Sequence, residues 1–169
     1  MKIAVSGTPG TGKTEVSKEL SKILNYEYIE LNKLAEEKGY IIGVDKERNS
    51  KIIDSDRLKN VSVPDNVVID GHLSHFVPVD LVVVLRTRPD VLRERLKKKG
   101  WLPKKVEENV EAEILGVCVF DAEEEKQKVI EIDTTSKTPE VVAKIIKKLI
   151  EKRNFTHKNI DWMEDFAGV

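Results

Sequence analysis

Sulfur, aromatic rings and net charge are all scarce in this chain. Among its 169 residues there is one cysteine, Cys118, and aromatic residues make up 5%. A single thiol excludes an internal disulfide framework and a four-cysteine zinc site. In the apolar stretch Leu115–Phe120 that thiol reads as buried and inert. The 29 Lys and Arg nearly balance 30 Asp and Glu, for a formal net charge of -1. That excludes a dedicated DNA-wrapping protein, whose domain is normally strongly basic. No apolar run reaches the roughly eighteen residues of a membrane span, so none is expected. The opening Met1–Gly7 breaks into glycine too early for a signal peptide. A soluble, cytoplasmic protein is the expectation. What is plentiful is charge, at 35%, beside 40% hydrophobic residues. That apolar content supports a real core and excludes a disordered acidic chaperone. The length fits one compact domain, and the Lys- and Glu-rich balance fits a thermophile.

Apolar runs and helical stripes alternate along the chain. Residues 2–6 and 26–31 read as short strands, with Tyr26 and Tyr28 facing a core. Residues 66–71 and 80–87 are near-continuous apolar runs, as central strands of a parallel sheet require. Residues 129–135 supply the last strand. Val16, Leu20, Ile23 and Leu24 share one helical face. Short helices are expected near 32–38 and 54–60. Pro89 opens a helix whose inner face is Leu92 and Leu96. Residues 97–106 are too charged and broken for core, and one helix is expected over about 106–126. Thr138 caps the final helix, Pro139 takes its first position, and Val142, Ile145, Ile146, Leu149 and Ile150 form its stripe. Strands separated by helices imply βαβ crossovers and a mostly parallel sheet.

Residues Gly7–Thr14 read Gly-Thr-Pro-Gly-Thr-Gly-Lys-Thr, the spacing of a P-loop. Such a loop turns backbone N–H groups inward around phosphate oxygens, which requires glycines where φ is positive. The helix that follows turns its positive end to the same anion. Lys13 then reaches the β- and γ-phosphates, and the Thr14 hydroxyl is placed to ligate Mg²⁺. The context fits: an apolar strand precedes the loop and an amphipathic helix follows it. Asp70 ends the apolar run 67–70, where P-loop proteins place an acid facing the metal's water shell. His72 follows. A neutral imidazole there could orient water or shuttle a proton; it could equally hydrogen-bond only locally, and the sequence leaves both open. His75 reads as structural. Arg93, Arg95, Lys97, Lys98, Lys99, Lys104 and Lys105 surround a potential lid bounded by Gly100 and Pro103, although a solvated helix end explains most of these lysines.

Four segments together carry a family resemblance: "GTPGTGKT" at 7–14, "VVIDGH" at 67–72, "VVVLRTRPDVLRERLKKKGW" at 82–101 and "KKVEENVEAEI" at 104–114. The chain resembles the adenylate-kinase-like ribosome-maturation ATPases, the family of adenylate kinase isoenzyme six, in their archaeal form, over about residues 1–150. The resemblance implies a P-loop NMP-kinase-like α/β fold of three layers, with a five-stranded parallel sheet and helices on both faces. It implies one domain over 1–152, an NMP-binding insert at about 31–54, a lid at about 98–108 and a tail over 153–169. It further implies an Mg²⁺- and ATP-dependent nucleoside monophosphate kinase with broad acceptor tolerance and ATPase activity. Its members act in late small-ribosomal-subunit maturation, with ribosomal protein S eleven and the pre-ribosomal small subunit as partners. No membrane role is implied, and a monomer is expected. By resemblance Gly10, Gly12, Lys13, Thr14 and Glu15 hold the ATP phosphates, and Lys137 lies beside the adenine. Lys13, Asp70 and His72 are the implied catalytic set, with Thr14 and, through water, Asp70 on the metal.

The chain also departs from that pattern. Lys99 stands where eukaryotic members place an arginine on the nucleotide, and lysine lacks the planar fork. Glu36 stands where some members carry an arginine. Arg57, Arg86 and Arg88 are substitute candidates for holding the NMP phosphate, and the sequence does not choose among them. Three readings remain: an NMP kinase, an ATPase switch for a ribosomal protein, and a nucleotide-gated binding module. Trp162, Met163 and Phe166 in the tail could dock on a basic partner or pack back on the core.

Overall fold

Five apolar runs become neighbours because each needs cover on both faces. The computed structural model describes residues 1–125, 128–156 and 159–166. In chain order its elements are β1 (Lys2–Gly7), α1 (Lys13–Leu24), β2 (Glu27–Glu30), α2 (Leu31–Glu37), β3 (Ile41–Asp45), β4 (Ser50–Ile53), α3 (Ser55–Leu58) and β5 (Val67–Asp70). There follow a 3-10 turn (Ser74–Phe76), β6 (Leu81–Arg86), α4 (Pro89–Lys98), α5 (Pro103–Ile114), α6 (Val117–Glu124), β7 (Val129–Asp133), α7 (Pro139–Glu151) and α8 (Met163–Phe166). The main sheet has the order β2-β5-β1-β6-β7, and every pairing in it is parallel. β5 and β6 are buried along their whole length, as their continuous apolar runs require.

Alternation divides each strand between two cores. Ile3 and Val5 of β1, with Leu81, Val83 and Leu85 of β6, pack on α1 and α7. Ala4, Val82 and Val84 face the other way, onto Val119 and Ala122 of α6. Val67 and Ile69 of β5 turn toward α2 and α3. The result is an α/β fold of three layers around a five-stranded parallel sheet. Among the described residues, no helix is long and apolar enough to cross a membrane.

Several expectations need correction. The single helix over 106–126 is two, α5 and α6, broken at Gly116 with φ 65°. Residues 97–106 are not wholly outside the core: Val106 is fully buried with Leu92, Leu96 and Val110, because α5 starts at Pro103 and lies against α4. The segment 31–54 holds an unforeseen antiparallel hairpin, β3–β4, besides α2. Tyr26 does pack on the core, but the Tyr28 hydroxyl points to Asp70. Cys118 is partly buried, and burial pushes its thiol up to about 11. The final helix starts as expected, with Thr138 Oγ1 accepting from the Val141 N–H at 3.4 Å.

Candidate active site

The parallel sheet carries the C-terminal ends of β1 and β5 to the same edge, where the loop after β1 meets the start of α1. Gly10 is required there twice over: its φ is 95°, and a Cβ would stand 2.9 Å from Leu92 Cδ1 and Leu96 Cδ2. Gly12 caps α1 without any side-chain hydrogen bond, so the first-turn N–H groups face the loop's hollow. Lys13 Nζ donates to Thr8 O at 3.0 Å. Burial within the loop, only partly offset by neighbouring acids, pushes the Lys13 ammonium down to about 8.

Asp70 joins α1 to the sheet. The Thr14 hydroxyl donates to Asp70 Oδ2 at 2.8 Å, and the Tyr28 hydroxyl donates to the same oxygen at 2.9 Å. Burial, and then this bond to Asp70, push the Tyr28 phenol up, so it stays a donor. Among the described residues, no three His, Cys, Asp or Glu gather into a metal cage. One hydroxyl and one carboxylate, both hard oxygen ligands, instead suit a Mg²⁺ that keeps waters and leans on a nucleotide's phosphates.

His72 is exposed at the mouth of this hollow, yet the cleft walls and then the Lys13 charge both lower its pKa, leaving it neutral at pH 7. Its carbonyl accepts from Ser6 Oγ at 3.1 Å, and Ser6 Oγ also lies 2.7 Å from Nδ1 of the buried His75. A cleft of about 960 Å³ runs along this edge, and Gly10, Gly12, Lys13, Thr14, Glu15, Asp70, His72, Lys99 and Lys137 all line it. The nine residues that the resemblance implies for the nucleotide and the metal thus line one cavity. Lys137 Nζ donates to Asp133 O at 3.0 Å beside it.

The three substitute arginines are not there. Arg86 is 2% exposed and is held between Glu113 and Glu131. Arg57 donates to Gly39 O at 3.1 Å, and Arg88 pairs with Asp90 at 3.0 Å. Arg48 and Lys51 of the hairpin line the cleft in their stead, with Asn32 and Glu30. Arg48 bridges Asp45 and Glu108 of α5, and Lys51 pairs with Glu36, the residue standing where an arginine was expected. These two cations went unread because the hairpin itself was unread. Arg95, noted above only as lid charge, donates to Gly10 O and Thr134 O at 3.3 Å and so braces the loop from α4. In the tail, Trp162 packs back, its Nε1 donating to Glu113 Oε1 at 3.3 Å.

Comparison with known proteins bears on the family and the fold. The AAA domain family model matches residues 3–116. A "Putative adenylate kinase" of Thermococcus kodakarensis is 50% identical, over all of this chain and 97% of its own length. A protein of the same description from Methanocaldococcus jannaschii is 36% identical, over 98% of this chain and 95% of its own. Among solved structures, a shikimate kinase from Acinetobacter baumannii in complex with shikimate superposes with a TM-score of 0.63 at 16% identity, covering 92% of this chain and 95% of that one. A deoxyadenosine kinase from M. mycoides gives 0.60 at 18%, covering 90% and 100%. At such identities the likeness concerns the fold.

Proposed function

We propose, from the premise that this chain belongs to the archaeal adenylate kinase family with an AAA-domain P-loop, that it is an ATP-dependent nucleoside monophosphate kinase with ATPase activity. One observation carries the reading. The Lys13 loop and the Thr14–Asp70 contact stand at one end of a cleft that continues to Glu30, Asn32, Arg48 and Lys51, leaving room for a second nucleotide. Lys13 and the first-turn N–H groups of α1 bind the β- and γ-phosphates of ATP. Thr14, and Asp70 through water, hold Mg²⁺, which when bound supplies charge neutralisation between those phosphates. Lys99 and Lys137 flank the nucleotide from the C-terminal cap of α4 and the loop after β7. Arg48 and Lys51 face the acceptor phosphate, in place of the arginines expected from sequence. On this reading residues 31–54 are the NMP insert, residues 98–108 are the lid, and both close over the transfer to exclude water.

The test measures phosphate release and ADP formation from Mg·ATP, with and without AMP. ADP made faster with AMP and without matching phosphate is expected. Phosphate release indifferent to AMP would sink the kinase reading in favour of hydrolysis.

His72 favours a second reading beside the first. It is a neutral imidazole close enough to feel the Lys13 charge, suited to orienting water on a γ-phosphate. His72→Ala is expected to lose hydrolysis and keep nucleotide binding; equal hydrolysis in mutant and parent would remove it from the mechanism. The role in late small-subunit maturation, with ribosomal protein S eleven, is supported by the motif resemblance at 70–72 and 82–114. Nucleotide-dependent capture of that purified protein is its test, and no capture in any nucleotide state would end it.

A further inference from the structure

Glu113 on α5 is 1% exposed and lies behind the P-loop, outside the cleft's lining. Its carboxylate takes four donors from three separate segments: Thr8 Oγ1 at 2.7 Å, Arg86 Nε at 2.8 Å with the neighbouring Thr87 N–H at 3.1 Å, and Trp162 Nε1 at 3.3 Å. Arg86 supplies the cation between Glu113 and Glu131. Thr8 and Trp162 are neutral additions, one from the nucleotide loop and one from the tail. The tail has a second anchor on the same cluster. Ile160 O accepts from Arg86 Nη1 at 3.1 Å, and the Ile160 N–H donates to Glu131 Oε1 at 3.4 Å.

Thr8 is also where the loop keeps its lysine. Thr8 O accepts from Lys13 Nζ at 3.0 Å and from Thr11 Oγ1 at 2.8 Å. Three hydrogen bonds, joined through the covalent frame of Thr8 and the carboxylate of Glu113, therefore link the Lys13 ammonium to the indole of Trp162.

We propose that Glu113 is a positioning residue which couples the seating of the tail segment 159–166 to nucleotide at the P-loop. Phosphates draw the Lys13 ammonium off Thr8 O. The Thr8 peptide and hydroxyl then readjust against Glu113, and Glu113 against Trp162. Coupling is reciprocal, so a seated tail in turn holds the loop ready for nucleotide. The inference rests on the proposed function only for a nucleotide at the P-loop, not for any acceptor.

Trp162 fluorescence tests it in the full chain carrying Trp101→Phe, since Trp101 lines the cleft and would report nucleotide directly. The probe is Mg²⁺ with a non-hydrolysable ATP analogue, and calorimetry on the same samples measures binding. The expected result is a Trp162 emission change that saturates with the analogue. Thr8→Val, which removes the hydroxyl link, is expected to abolish that change and, by the same reciprocity, to weaken binding to the extent that Trp162→Phe does, with saturation still reached at higher analogue concentration. Trp162→Phe, in the parent chain, is expected to weaken binding about fivefold, the low end of coupling between two sites. Emission indifferent to bound analogue, emission that survives Thr8→Val, or unchanged affinity in Trp162→Phe would each overturn the coupling. No heat of binding at all would overturn the nucleotide site first, and the coupling with it.

Discussion

Lys13 is held at a cost when no phosphate is bound. Its ammonium loses water inside the loop, and its pKa falls from 10.5 to about 8. Between those values the unfolded chain keeps the proton and the folded chain has lost it. Stability of the ligand-free protein therefore rises with pH across that window. Nucleotide binding has the opposite sign, because phosphates need the charged amine and binding above pH 8 must take up a proton. ATP affinity is expected to fall as pH is raised beyond about 8. Lys13→Arg, whose guanidinium stays protonated, should bind with a flatter profile. Calorimetric titration on both sides of that pH checks it, and a flat profile in the parent would show that the amine keeps its proton throughout. Asp70 shows a different residue-scale economy: one oxygen serves two hydroxyls, so Thr14 and Tyr28 stay aligned before any metal arrives.

Between elements, the sharpest constraint is the approach of α2 to the end of β5. Gly71 follows Asp70, and a Cβ there would stand 2.7 Å from Leu31 Cβ at the start of α2. Leu31 is buried and has no room to retreat. Gly71→Ala must therefore push α2 away, carrying with it Asn32, which lines the cleft. A destabilisation of about 1–3 kcal/mol is expected, together with a raised KM for the acceptor and little change in KM for ATP. Urea unfolding and a two-substrate kinetic analysis measure the two effects; an unchanged acceptor KM would show that α2 takes no part in acceptor binding. The glycine of the Asp-Gly-His motif thus has a packing reason of its own, between two candidate site residues. The hairpin is tied to α5 by the Arg48–Glu108 and Lys104–Glu47 pairs. Both are solvent-exposed, so each contributes little alone and is weakened by salt.

At the scale of the whole molecule, Arg86 gathers β6, α5, β7 and the tail around one buried guanidinium. Exchanging it for an apolar side chain leaves Glu113 and Glu131 buried without the cation between them. Arg86→Met is expected to cost about 3–5 kcal/mol, read as a lower urea midpoint. A variant as stable as the parent would mean that the cluster rearranges or takes up protons without penalty. This position also shows why charge alone misleads. In the sequence Arg86 stands beside Arg57 and Arg88 as a candidate for the NMP phosphate, and the fold commits it to the interior.

The P-loop, the acid that ends β5 and the alternation of strands and helices were all legible in the chain before folding. Each is written in neighbouring residues or in a short period: Gly7–Thr14 is contiguous, β5 and β6 are unbroken apolar runs, and α7 carries its own cap and stripe. Chemistry confined to a few adjacent residues needs no knowledge of what packs on it. The rest depended on partners distant in sequence. Gly116 interrupts a helical stripe whose break is visible only where α6 turns onto the sheet. Glu113 is one of several glutamates along 107–113, and nothing local marks it for the partner it meets, Thr8, 105 residues away. Arg48 and Lys51, in place of Arg57, Arg86 and Arg88, reach the cleft because an irregular hairpin carries them there. The sequence by itself determined the phosphate-binding loop and the layered parallel sheet, since local geometry and hydrophobic period suffice for both. Only the tertiary structure decided which cations face the cleft and which are buried, because burial and pairing are properties of contacts made after the chain has closed on itself.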